Sequence, residues 1–188
     1  HLFHWMIETR DTSLIPEPQM HILSKNSSPY EIVLSERIYP IERILYVADL
    51  VGRGTQHLDE LKGHLKDKNT IIRYWAATGL AALGNGASPA SADLEKALND
   101  ESACVCFAAG EALCHIGKEK QAIEVIAEGL LDDDIRIRLY AAMTLAAVGD
   151  SARYAVKEMK KALTLKSGSN PYNKPVENAI LYSLSKLE

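Results

Sequence analysis

Three cysteines, six histidines and a run of three aspartates are the residues here with the clearest capacity for chemistry. Cys104 and Cys106 lie two apart on a predicted helix, so they point to different sides and do not pair. Cys114 stands where two related stretches carry Ala81 and Ala146. All three therefore read as small buried fillers, and no disulfide framework is expected. His1 and His4 are spaced i, i+3, and His57 and His64 i, i+7. Zinc needs three or four convergent ligands, and no cysteine or carboxylate sits at a suitable spacing. Asp132-Asp133-Asp134 lacks the interleaved ligands and closing glutamate of a calcium loop, whereas it suits the positive end of a helix dipole. Gly84-Asn85-Gly86 has no following Lys-Ser/Thr and reads as a turn, not a phosphate cradle. Asn26-Ser27-Ser28 is a glycosylation sequon, relevant only in a eukaryotic secretory route. The expectation is no catalytic residue, no cofactor and no metal site.

What would position any of these groups is a stretch the chain repeats. Asp67–Gly84 reads DKNTIIRYWAATGLAALG, Asp100–Gly117 reads DESACVCFAAGEALCHIG and Asp132–Gly149 reads DDDIRIRLYAAMTLAAVG. The closing glycines are 33 and 32 residues apart, and Ile72/Val105/Ile137, Ala76/Ala109/Ala141 and Leu80/Leu113/Leu145 fall in register. Self-similarity at such a period marks a stacked repeat array. Asn69, Ser102 and Asp134 are natural N-caps, and each glycine suits a left-handed helix end. The spacing predicts helices over 70–83, 103–116 and 135–148, with partner helices over 91–98, 119–131 and 151–165.

The formal charge of −4 excludes a dedicated nucleic-acid surface. Lys157, Lys160, Lys161 and Lys166 read as a solvated helix face. No run of 18 apolar residues exists to span a membrane. The chain starts inside what looks like a helix, HLFHWMIETR, and is expected to be a piece of a longer protein. Residues 1–39 carry Pro16, Pro18 and Pro29, with Pro40 at the boundary, so an irregular, mostly extended, proline-rich arm is expected there. Its Trp5, Ile15, Met20, Ile22, Tyr30, Ile32 and Val33 should pack along another surface. Residues 40–188 form the repeat domain: a degenerate first repeat over 40–66, the better repeats over about 67–165, and a closing helix over 176–187. Terminal repeats are expected to be atypical because one face caps the stack.

This layout resembles HEAT-type repeats of the short variety, Asp-x-x-x-x-Val-Arg-x-x-Ala-Ala-x-x-Leu-x-x-Leu-Gly. The Val-Arg step is Ile72-Arg73 and Ile137-Arg138, while Val105-Cys106 breaks the pattern and puts a continuous Asp–Arg ladder in doubt. The resemblance covers about Pro40 to Leu165. It implies an all-α, armadillo-like, right-handed α-α superhelix. A narrower likeness is carried by Trp5–Glu17 (WMIETRDTSLIPE), Ser28–Glu31 (SPYE), Tyr46–Leu50 and Arg73–Leu80 (RYWAATGL). These look like the C-terminal region of bacterial heparan N-sulfatase-like (N-sulfoglucosamine sulfohydrolase-like) enzymes. The likeness implies an accessory part of a periplasmic or secreted hydrolase. That family's nucleophile lies in Cys/Ser-x-Pro-x-Arg, which occurs nowhere here: Ser27-Ser28-Pro29-Tyr30-Glu31 and Ser169-Asn170-Pro171-Tyr172-Asn173 end in Glu and Asn.

On a 100° wheel with Ile72, Ala76 and Leu80 inward, one further face carries Tyr74, Phe107, Leu139 and Met143, with Glu111 its only charge. Contiguous exposed apolar patches mark interfaces, so these four residues are the candidate docking surface. Its expected partners are the chain's own N-terminal arm and a missing catalytic domain, or another protein. No nucleic acid and no membrane are expected, and direct glycan binding should be weak at most. The functional expectation is a non-catalytic scaffold or interaction domain of a sulfatase acting on sulfated glycans. A stand-alone adaptor that binds a protein partner is the alternative. A repeat-type lyase or chaperone ranks third, since nothing in the sequence supplies its chemistry.

Overall fold

A computed structural model describes residues 2–165 and 169–187, with side chains from residue 3 onward. His1, the Leu2 side chain, Lys166 and Ser167 therefore lie outside the described part. The described residues form helices and turns without strands, the all-α superhelix of HEAT-like hairpins.

One layer is built from α4 (Ile41–Asp49), α6 (Thr70–Ala82), α8 (Ala103–His115), α10 (Ile135–Ala147) and α12 (Asn173–Leu187). The other is built from α5 (Leu58–His64), α7 (Ser91–Ala97), α9 (Glu119–Gly129) and α11 (Val156–Ala162). Each first-layer helix packs on the next along the row, and the second-layer helices close the hairpins. Short 3-10 turns over Gly84–Ala90 and Gly149–Ala155 lead into α7 and α11. The core is the expected stripe: Ile72, Ala76, Leu80, Val105, Ala109, Leu113, Ala141 and Leu145 are all essentially inaccessible.

The repeated sequence letters have physical reasons. Gly84, Gly117 and Gly149 have φ of 54°, 78° and 58°, which a side chain would resist. Asp67, Asp100 and Asp132 each accept the backbone N–H two residues on, at 2.8, 2.9 and 2.7 Å, pinning the turn before the helix. Asn69 and Asp134 cap α6 and α10 with their side chains. Ser102 corrects the expectation at α8: its hydroxyl makes no capping bond and instead donates to Gln19 Oε1 at 3.0 Å.

The ladder between repeats is partial. Arg73 is buried and clasps Asp100 of the next repeat through Nε and an Nη atom at 2.7 and 2.9 Å. Its other Nη atom donates to the Asp67 carbonyl at 3.0 Å. Cys106, at the equivalent position, reaches only the Asp100 carbonyl at 3.1 Å, so no such clasp joins it to Asp132. Burial pushes the thiols up, to about 12 for Cys104 and Cys114 and about 11 for Cys106. They are free, buried fillers.

The arm departs from the extended expectation. It holds three short helices, α1 (Leu2–Thr9), α2 (Glu17–Leu23) and α3 (Pro29–Leu34). Its prolines start helices instead of preventing them: Pro16 precedes α2, Pro18 lies in its first turn and Pro29 opens α3. A first-turn proline forfeits no helical hydrogen bond. Ser28 and Glu31 complete a capping box around α3. Arg10, in the left-handed region at φ 51°, ties the arm together. It donates to the carbonyls of Val33 at 2.6 Å and Tyr39 at 3.1 Å, and to Glu36 at 2.6 Å. Tyr39 is fully buried and donates to the Asp11 carbonyl; burial, with Asp11 nearby, raises its pKa to about 12. Ile15 and Ile32 are buried as expected, but Trp5, Ile22 and Tyr30 remain exposed.

Candidate interaction surface

The arm crosses the first layer at the N-terminal ends of its helices, and the same register position meets it three times. At Asn69, Nδ2 donates to the Ile38 carbonyl at 2.9 Å. At Ser102 the partner is Gln19, itself buried. At Asp134 it is His21, whose Nε2 lies 3.4 Å from the carboxylate. Farther into α6, Trp75 Nε1 donates to the Leu14 carbonyl at 2.8 Å. Near α12 the strap closes: Glu17 accepts from the Tyr172 hydroxyl and lies 3.4 Å from Arg136, whose guanidinium covers the Tyr172 ring at 5.4 Å. Two segments that carry the narrower resemblance, Trp5–Glu17 and Arg73–Leu80, therefore touch through Leu14 and Trp75.

Beyond the strap, the first layer carries an aromatic cluster. Tyr74 lies edge-on to Trp75, with ring centroids 5.3 Å apart, and 6.4 Å from Tyr140. Tyr140 in turn lies 5.7 Å from Phe107. Tyr74 and Tyr140 belong to α6 and α10, so they reach toward one another across α8. The space comes from Ala108, buried and small, at the register position where the flanking repeats place Trp75 and Tyr140. The Tyr140 hydroxyl is held neutral well past its ordinary range, chiefly by burial and then by Tyr74 beside it.

The four predicted docking residues separate here. Met143 is 56% exposed and Tyr74 and Leu139 are half-buried, but Phe107 is 2% exposed and belongs to the core. Its ring lies over Gly129 at the end of α9; a Cβ there would sit 2.3 Å from the ring tip. The helical wheel puts Phe107 on the same face as Tyr74, but the missing Gly129 side chain lets the ring sink into the next repeat. Gly129 of α9 and Ala141 of α10 lie at its ring.

Glu111 sits between Thr78 and Met143 in register, half-buried on α8. Burial raises its carboxyl above the usual range, partly offset by His115. His115 is itself engaged through Nδ1 with the Ala81 carbonyl at 2.9 Å. Sequence reasoning named Glu111 and carried Trp75 within Arg73–Leu80, but missed Tyr140. Its signal was the Trp75/Ala108/Tyr140 row, in which a small residue sits between two large ones.

Among the described residues no group of three or more His, Cys, Asp or Glu side chains is arranged to hold a metal ion. His4 and His57 pair with Glu8 and Glu60 at 3.1 and 3.2 Å, the first pair exposed and the second half-buried. No described helix is long and apolar enough to cross a membrane. No curated protein matches the chain. A family model described as PBS lyase HEAT-like repeat matches residues 72–100, which run from the Ile72-Arg73 step to the Asp100 that Arg73 clasps, and the repeat domain is therefore HEAT-like.

Proposed function

We propose that the chain is a helical-repeat scaffold, an interaction domain that serves as the accessory C-terminal part of a sulfatase acting on sulfated glycans. The scaffold reading is carried by one observation. The repeat stack is held as one body by an arm that pairs with each repeat in turn, and it still leaves apolar and aromatic side chains outward. Stacked hairpins bury their faces only against neighbours, which favours extended binding surfaces. The accessory role rests on the sequence likeness of Trp5–Glu17, Ser28–Glu31, Tyr46–Leu50 and Arg73–Leu80. In that role the exposed Phe3, Trp5, Tyr30 and Leu34 on α1 and α3 meet the catalytic domain, in the periplasm or outside the cell.

The coding sequence upstream of residue 1 tests the attachment. A Cys/Ser-x-Pro-x-Arg motif in the same reading frame is expected there. An upstream region without one makes the chain an adaptor that binds a protein partner. The chain alone should release no sulfate from sulfated oligosaccharides.

A further inference from the structure

We infer that the first-layer face carrying Met143 receives a basic side chain, an arginine or lysine of a protein partner, against the Glu111 carboxylate one repeat away in register. The inference rests on the scaffold reading and names the chemistry of what that scaffold binds. Three half-buried carboxylates elsewhere in the stack have cations: Asp67 has Arg43 at 2.6 Å, Asp93 has Lys66 at 3.1 Å and Asp100 has Arg73 at 2.7 Å. Glu111 has neither an ion pair nor a hydrogen bond among the described residues. A carboxylate drawn out of water is costly unless it is paired. On its own helix His115 offsets this only in part, its Nδ1 being engaged with the Ala81 carbonyl.

The surroundings favour a delocalised cation. Burial chiefly raises the Tyr140 phenol and the Cys114 thiol, with Glu111 among the lesser charges that add to it. Tyr140 in turn lies beside Tyr74 and Phe107, with ring centroids 6.4 and 5.7 Å away. A guanidinium or ammonium group gains from an aromatic face as well as from the carboxylate. Met143, one repeat along at the same register position, is exposed, and Leu139 one turn before it is half-exposed. They give an apolar shelf for the residues flanking that cation, which is why the occupant is a polypeptide segment. The arm bonds α8 and α10 at their N-terminal ends, through Gln19 to Ser102 and His21 to Asp134.

The test is a titration of the folded chain with N-acetyl-arginine amide, followed by NMR, at tens of millimolar, enough to fill a site of millimolar affinity. Saturable shifts confined to Glu111, Tyr74, Tyr140 and Met143 are expected. N-acetyl-lysine amide should move the same resonances and N-acetyl-norleucine amide should not. Glu111→Gln should weaken the arginine response at least tenfold with the rest of the spectrum unchanged. The inference is overturned if wild type shows no localised saturable shift, if norleucine amide gives the same shifts, or if Glu111→Gln responds as wild type does. Any of those results leaves the sulfatase attachment standing, because that depends on the upstream sequence alone.

Discussion

In the repeat stack, each helix leans on neighbours within about one repeat, and the same bond recurs at the same letter. The bonds by which the arm holds the stack are long-range: Leu14 to Trp75, Gln19 to Ser102, His21 to Asp134, Glu17 to Tyr172. The stack therefore specifies itself locally, whereas the arm depends on a register that the stack has already set. The arm should accordingly be the first part to open and the stack the part that survives.

That contrast can be broken experimentally. The largest effect is expected inside the stack. Arg73→Ala strands the Asp100 carboxylate in a nearly buried position and should cost about 3 kcal/mol or more in urea unfolding. It should also broaden the transition as the repeats uncouple on either side of the break. A change confined to the arm in Arg73→Ala would contradict the division. Arg10→Ala removes three charge-assisted bonds within the arm and should cost about 2 kcal/mol there. Hydrogen exchange should show residues 2–39 losing protection while α8 keeps its own, and uniform loss across both would merge the two regions. Trp75→Phe deletes a single bond between them. With the Leu14 carbonyl left unpaired, a loss of about 1 kcal/mol in arm opening is expected from native-state exchange.

The smallest expected effect has the opposite sign. Glu111 is held protonated more tightly in the folded chain than in the unfolded one. Stability is therefore lost as pH rises from the unfolded glutamate value, about 4.3, through the raised folded one. At pH 7 the ionised carboxylate works against the fold, so Glu111→Gln should melt higher than wild type. The gain should vanish below about pH 4, where both states hold the proton. A melting point that Glu111→Gln leaves unchanged at both values would show that the carboxylate is already satisfied.

The division also explains what could be read in advance. Helices α6, α8 and α10 begin and end within a residue of expectation because their start signals and closing glycines recur in step. Helix α1 falls within HLFHWMIETR, which already reads as helical, whereas α2 and α3 were missed because prolines mark either an extended run or a first turn, and only the Ser28–Glu31 box pointed to the second. Ser102 looked like a cap and proved a strap contact, since nothing in its local sequence announces Gln19, 83 residues away. Phe107 shows the limit most sharply. A helical wheel gives direction but not depth, and depth was decided by Gly129 on another helix. The aromatic cluster was half legible: Tyr74 and Phe107 line up in register, but Tyr140 joins them from a different register position, the one that Ala108 occupies in α8.

The strap also has a mechanical consequence. Helical solenoids are springs, compliant along their axis because adjacent turns can pivot without breaking much. Here one chain segment runs beside the coils and is riveted near α4, at α6, α8 and α10, and again at Tyr172 before α12. Stretching the coil requires shearing those rivets together instead of opening one turn at a time. The molecule should therefore behave under tension as a stiff bracket, extending little until the arm tears free and only then uncoiling.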